Sequence, residues 1–227
     1  MAQPGDEERV THSESLKRLG GFSDGVFAVA ITILVLSLAV PVIPKALVKV
    51  RLGKALTDML PHFQGYVLSF LIIGLFWLAH QFIFKQLVKY DRWLFWLNLL
   101  FLMIVVFVPY ATELMNKYGS YWLPVVIYAV TMTSAGVVIA ALFAYATRGN
   151  RLVPDDFDHR ISRHVISEYL TVSLFFLLSI PVSMWSPGWG MRFWLLIIPG
   201  SFITGSIWPD PEQRVKKAIK RITPSRH

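Results

Sequence analysis

Six stretches of this chain, roughly 22–40, 60–84, 93–113, 121–146, 169–185 and 193–208, are apolar over about the length needed to cross a membrane. A hydrocarbon core of ~30 Å takes about 18 or more such residues. Lipid offers the backbone no hydrogen-bond partner, so each run must close its own bonds as a helix. A β-barrel would need alternating strands of about ten residues, which the sequence lacks. The predicted fold is an all-α integral membrane protein with six transmembrane helices in one domain. Composition agrees: 55% of the 227 residues are hydrophobic and 16% charged, far from a soluble domain of this size. The second run also carries His62, Gln64 and His80, and the last two runs are short and flanked by Pro and Gly.

Residues 1–15 are polar and mixed in charge, a composition expected to be disordered. Residues 16–208 form the membrane domain, and 209–227 a basic tail. The first run follows Lys17 and Arg18 as a signal peptide would. It is too long for one, contains Asp24 and ends in a poor cleavage site, so it reads as a retained helix. With no cysteine, disulfides and thiolate metal sites are excluded.

Lys and Arg set the orientation. One side carries Arg9, Lys17 and Arg18, then Lys85, Lys89 and Arg92, a loop with Arg148, Arg151, Arg160 and Arg163, and the tail's Arg214, Lys216, Lys217, Lys220, Arg221 and Arg226. The other side has only Lys45, Lys49, Arg51, Lys54, Lys117 and Arg192. Both termini are therefore expected in the cytoplasm of a multi-pass protein of the cell membrane. The net charge of +8 points to anionic lipid head groups as neighbours rather than nucleic acid, for which no motif is present. Tyr90, Trp93 and Trp96 on one side and Tyr118, Tyr121 and Trp122 on the other mark the interfacial belts.

The first run holds two features of note. Val29, Thr32, Ile33 and Leu36 fall at i, i+3, i+4 and i+7, on one arc of about 100°, joined by Gly25. Opposite them lie Phe27, Ile31, Leu34 and Leu38. In an all-apolar helix such a stripe is ordinarily core packing. The sharper reading is a narrow apolar pore, gated by dewetting, with Thr32 as its one polar contact. The second feature is Asp24, at the mouth of the run and off that arc. An Asp at the centre of a membrane helix costs ~3 kcal/mol, so it needs partners. Depth predicts them: Arg18, Ser23, Asp24, Trp77, His80 and Asn98 share one layer, and Phe22, next to Ser23, is counted with this network. That layer is either a static clamp between helices or also a place where gating or proton sensing acts, since His titrates near neutrality.

These residues carry a resemblance. Arg18, Phe22, Ser23 and Asp24 match the R-x-x-x-F-S-D signature of the transmembrane protein 175 family of endosomal and lysosomal potassium channels, most closely its prokaryotic branch. The match continues through Gly74, Trp77 and His80 and through Tyr90 to Asn98, covering about residues 16–116. The resemblance implies six helices per chain, four chains around one pore, and the first helix lining it. It also implies selectivity without a carbonyl filter, and the Thr-Val-Gly-Tyr-Gly motif is missing here too. Carried over by position, Val29, Ile33 and Leu36 would form the apolar rings and Thr32 the hydroxyl layer. Val29 is smaller than the Ile or Leu expected at the first ring, which points to a wider constriction and weaker potassium preference. Gln81 stands where prokaryotic relatives often have a second histidine. The function implied is a passive channel for K+ and other monovalent cations, formed by a homotetramer, with no cofactor.

Two rival readings remain. A secondary transporter would show internal repeats and midplane binding residues, and no repeat is visible. A membrane enzyme could use Asp155, Asp156, Asp158 and His159 around a metal, but they lie in a loop with four Arg residues and lack a second ligand set. No H-E-x-x-H, G-x-S-x-G or phosphate-binding Gly loop occurs.

Overall fold

The computed structural model describes residues 4–195. It is helical throughout, with no strand among the described residues. α1 spans Pro4–Ile33 and tightens into a 3-10 turn at Leu34–Ser37. Then come α2 (Val48–Asp58), α3 (Leu60–Gln86), α4 (Arg92–Tyr118), α5 (Trp122–Thr147), α6 (His159–Trp185) and α7 (Pro187–Leu195). Among the described residues, five helices are long and apolar enough to cross a membrane: α1 with its 3-10 extension, α3, α4, α5 and α6. The predicted sixth span, 193–208, and the basic tail lie almost wholly outside the described residues, which include only the α7 helix leading toward them.

Two helices start earlier than hydropathy suggested. α1 begins at Pro4, so residues 4–15, expected to lack structure, continue the membrane helix. No Pro or Gly interrupts the chain between Asp6 and Arg18 to stop it. α6 begins at His159 rather than 169 because Asp158 caps it, accepting from the Arg160 N–H at 2.9 Å. Hydropathy marks where a helix enters lipid; the caps mark where it starts.

α4 joins two groups of helices. It packs against α1 and α3 on one side and α5 on the other, and α5 against α6. Its inner face is fully buried, as at Phe101, Val105, Val108 and Ala111. Between helices in lipid the hydrophobic effect is weak, so close approach and shared hydrogen bonds matter more. Gly136 is one such approach: a Cβ there would collide with Ser173 Oγ of α6. The turn after α5 reverses through Gly149 and Asn150, both left-handed, at φ 62° and 53°. It then docks on the α3–α4 loop, where the Leu152 carbonyl accepts from Val88 N at 2.9 Å and Lys89 N at 3.3 Å. α1 is an edge helix, with 28% of its most apolar window buried against 56% for α5.

A candidate pore face and its polar brace

α1 has two unlike sides. Phe27, Ala30 and Leu34 point into the bundle and are at most 2% exposed. Val29, Ile33 and Leu36 point away and are 53%, 46% and 73% exposed, and Thr32 is exposed beside them. The stripe predicted as either core or pore lining is thus not core within one chain. The 3-10 turn sharpens the stripe, because residues three apart eclipse in that geometry; Leu36 stands nearly in line with Ile33. The Thr32 hydroxyl turns its hydrogen back onto its own helix, 2.9 Å from both the Ala28 and Val29 carbonyls. That leaves its oxygen as an acceptor on the outward face.

Behind this face the predicted polar layer forms, as two linked knots. In the first, Ser23 Oγ donates to the Leu19 carbonyl at 2.8 Å and accepts from Asn98 Nδ2 at 3.0 Å. Asn98 Oδ1 then lies 2.7 Å from His80 Nε2. Since that amide oxygen can only accept, the His80 hydrogen belongs on Nε2. His80 Nδ1 is buried without a hydrogen-bond partner among the described residues. The ring stacks on Phe84 at 4.1 Å and meets Phe27 edge-on at 5.8 Å. In the second knot, Asp24 Oδ1 accepts from the Trp77 indole at 2.8 Å and from Gln81 Nε2 at 2.6 Å.

Gln81 was not predicted as part of this layer. Its signal was its position: Trp77, His80, Gln81 and Phe84 make an i, i+3, i+4, i+7 stripe of α3 facing α1. Arg18 and Phe22 were predicted in the layer, and the structure leaves both outside it. They are exposed, and Arg18 makes no hydrogen bond or ion pair among the described residues. The reason is periodicity. Arg18 precedes Val29 by eleven residues, three helical turns, so it and Phe22 share the outward face.

Sequence reading also missed two other polar clusters. Tyr128, fully buried in α5, donates to Ser69 Oγ at 3.0 Å; Ser69 donates to Thr112 at 2.8 Å, and Thr112 to the Val108 carbonyl at 2.9 Å. The last bond fixes the direction of the other two, since each hydroxyl has one hydrogen. Asp91 caps α4 through Leu94 N at 2.8 Å, accepts from the Tyr145 hydroxyl and sits 3.7 Å from Arg151 Nε. No signal short of the tertiary contacts singles out these residues from the many Ser, Thr and Tyr of membrane helices. In the 155–159 loop, Asp158 serves as a helix cap. No three His, Asp or Glu side chains converge for a metal among the described residues.

The chain that carries this F-S-D motif is similar to known proteins. Residues 18–109 match the family described as the endosomal/lysosomal potassium channel TMEM175. A potassium channel of Streptomyces collinus is 37% identical over 148 residues, 63% of this chain and 68% of its own. This chain belongs to the TMEM175 family. A potassium channel of a Chryseobacterium species is 29% identical over 207 residues, 89% of this chain and 97% of its own. The crystal structure of a lysosomal potassium-selective TMEM175 homolog from Chamaesiphon minutus superposes with a TM-score of 0.71 at 27% identity, covering 81% of this chain and 94% of that one. The chain is therefore a multi-pass membrane protein of an ion-channel family, not of an enzyme family.

Proposed function

We propose that four copies of this chain surround one axis and let K+ pass down its gradient, with α1 lining the pore and other monovalent cations passing less readily. The observation that supports this most is the outward face of α1. Val29, Ile33 and Leu36 are exposed on it in single file, and Thr32 offers one acceptor oxygen between them. Around a closed symmetry axis, copies of one narrow face enclose a path that a single chain cannot. The apolar rings gate by dewetting, and the Thr32 oxygens replace part of the ion's lost water. Arg18, without a partner among the described residues of its own chain, reaches the neighbouring copy at the cytoplasmic entrance. The polar brace holds α1 at a fixed rotation against α3 and α4, which keeps the rings in register. Both termini lie in the cytoplasm of the cell membrane, on the basic side.

The test is ion flux into liposomes holding the purified protein, under a potassium gradient, with sodium and caesium compared. Potassium-dependent flux whose selectivity changes in Leu36→Ala is the expected result. Flux and selectivity untouched by substitution along the stripe would overturn the pore assignment.

A further inference from the structure

At the end of the bundle where α1 begins, an open cleft of ≈ 1100 Å³ separates α1, the end of α3 and the loop after α5. Lys17, Lys85 and Lys89 line it from separate segments of the chain. All three are exposed, and none has an ion-pair partner among the described residues. Two carboxylates share the cleft. Asp24 already accepts the Trp77 and Gln81 bonds, and Asp155 lies on the loop side. His12 also lines it, with Nδ1 taken by the Tyr90 N–H at 3.3 Å. Three unpaired ammonium groups gathered around one opening repel one another unless an anion lies between them.

The rest of the lining narrows the anion. Leu16, Phe84, Leu87 and Val153 give the cleft an apolar side, unsuited to a small hydrated ion alone. Its depth matters too: Tyr90, Trp93 and Trp96 follow directly on the end of α3, at the predicted interfacial belt. A molecule that carries phosphate at that depth and an apolar body beside it is a phospholipid. We propose that this cleft binds the phosphate head group of an anionic lipid of the cytoplasmic leaflet, held by Lys17, Lys85 and Lys89. The proposal rests on the orientation given above and not on which helix lines the pore. Basic pockets between membrane helices on the cytoplasmic side hold anionic head groups by the same attraction.

Native mass spectrometry of the purified full chain in detergent tests this, with phosphatidylglycerol or phosphatidylcholine added. The wild type retains phosphatidylglycerol preferentially, and each lysine changed to Gln lowers that retention about five-fold. Lys17→Gln alone and the pair Lys85→Gln/Lys89→Gln are read separately, so misfolding of one leaves the other informative. Lys45→Gln/Lys49→Gln/Lys54→Gln removes the same total charge from the opposite side and leaves retention as in the wild type. Equal loss in that control means general charge attraction and overturns the site, as does retention indifferent to all three lysines. Displacement of the lipid by millimolar inorganic phosphate in the wild type assigns the cleft to a free phosphate compound and overturns the lipid. Flux is not part of the readout, so a failed pore assignment leaves this result standing.

Discussion

Asn98 of α4 donates a 3.0 Å hydrogen bond to the hydroxyl of Ser23 on α1, where both side chains are wholly buried. Its other amide atom faces His80 of α3 at 2.7 Å. One side chain thus ties three helices at one depth. Asn98→Ala leaves the His80 Nε2 hydrogen without its acceptor and removes the donor to Ser23. Each buried polar group left unmatched costs about 1–3 kcal/mol. The expected outcome is a clear fall in thermal stability in detergent, larger than for Ser23→Ala. The two changes combine non-additively in a double-mutant cycle, because they share one bond. Additive effects would mean the bond contributes nothing.

Asp24 accepts two donors on a single oxygen. Asp24→Asn keeps an acceptor there but removes the charge, which roughly halves the strength of such bonds. Asp24→Ala removes the acceptor altogether, and Gln81→Leu removes one donor. Stability and assembly should fall least for Gln81→Leu or Asp24→Asn and most for Asp24→Ala. Size-exclusion profiles and melting curves of the three variants check the order.

Leu34 and Leu36 are two residues apart and face opposite ways, at 0% and 73% exposure. Leu34→Ala should cost about 2–5 kcal/mol through lost packing. Leu36→Ala should leave the stability of a single chain within about 0.5 kcal/mol while altering flux and ion preference in liposomes. Equal destabilisation by both would place Leu36 in a packed interface rather than along a pore.

Among the described residues, the Thr32 hydroxyl bonds only to its own helix. Thr32→Val keeps its shape and removes the oxygen, so folding is preserved while the potassium preference in flux falls. Thr32→Ser keeps the oxygen and should retain the preference. Reversal potentials measured with potassium and sodium on opposite sides distinguish the two.

The apolar runs made the helical membrane fold legible, because lipid leaves the backbone no other solution. Of the seven residues predicted for the polar layer, Ser23, Asp24, Trp77, His80 and Asn98 meet, because depth in the membrane is written in helix direction and distance from the helix ends. Arg18 and Phe22 do not, because depth says nothing of rotation about the helix axis, and each precedes a residue of the outward stripe, Val29 and Ile33, by eleven positions, which puts them on the opposite face. Gln81 went unremarked as a partner for the same reason: its depth was right, but only the α1–α3 contact aims its amide at Asp24.

The sequence by itself determined that the five long apolar runs within the described residues are helices, though not where two of them start, which residues lie at the same level, and the two faces of α1, since backbone bonding in lipid and the helical period are local properties. Only the tertiary structure decided which face of α1 is covered by its own chain, where the Tyr128, Ser69 and Thr112 hydroxyls meet, and that Lys17, Lys85 and Lys89 open onto one cleft. Those facts depend on the rotation and spacing of helices far apart in the chain, set by the packing of all of them together.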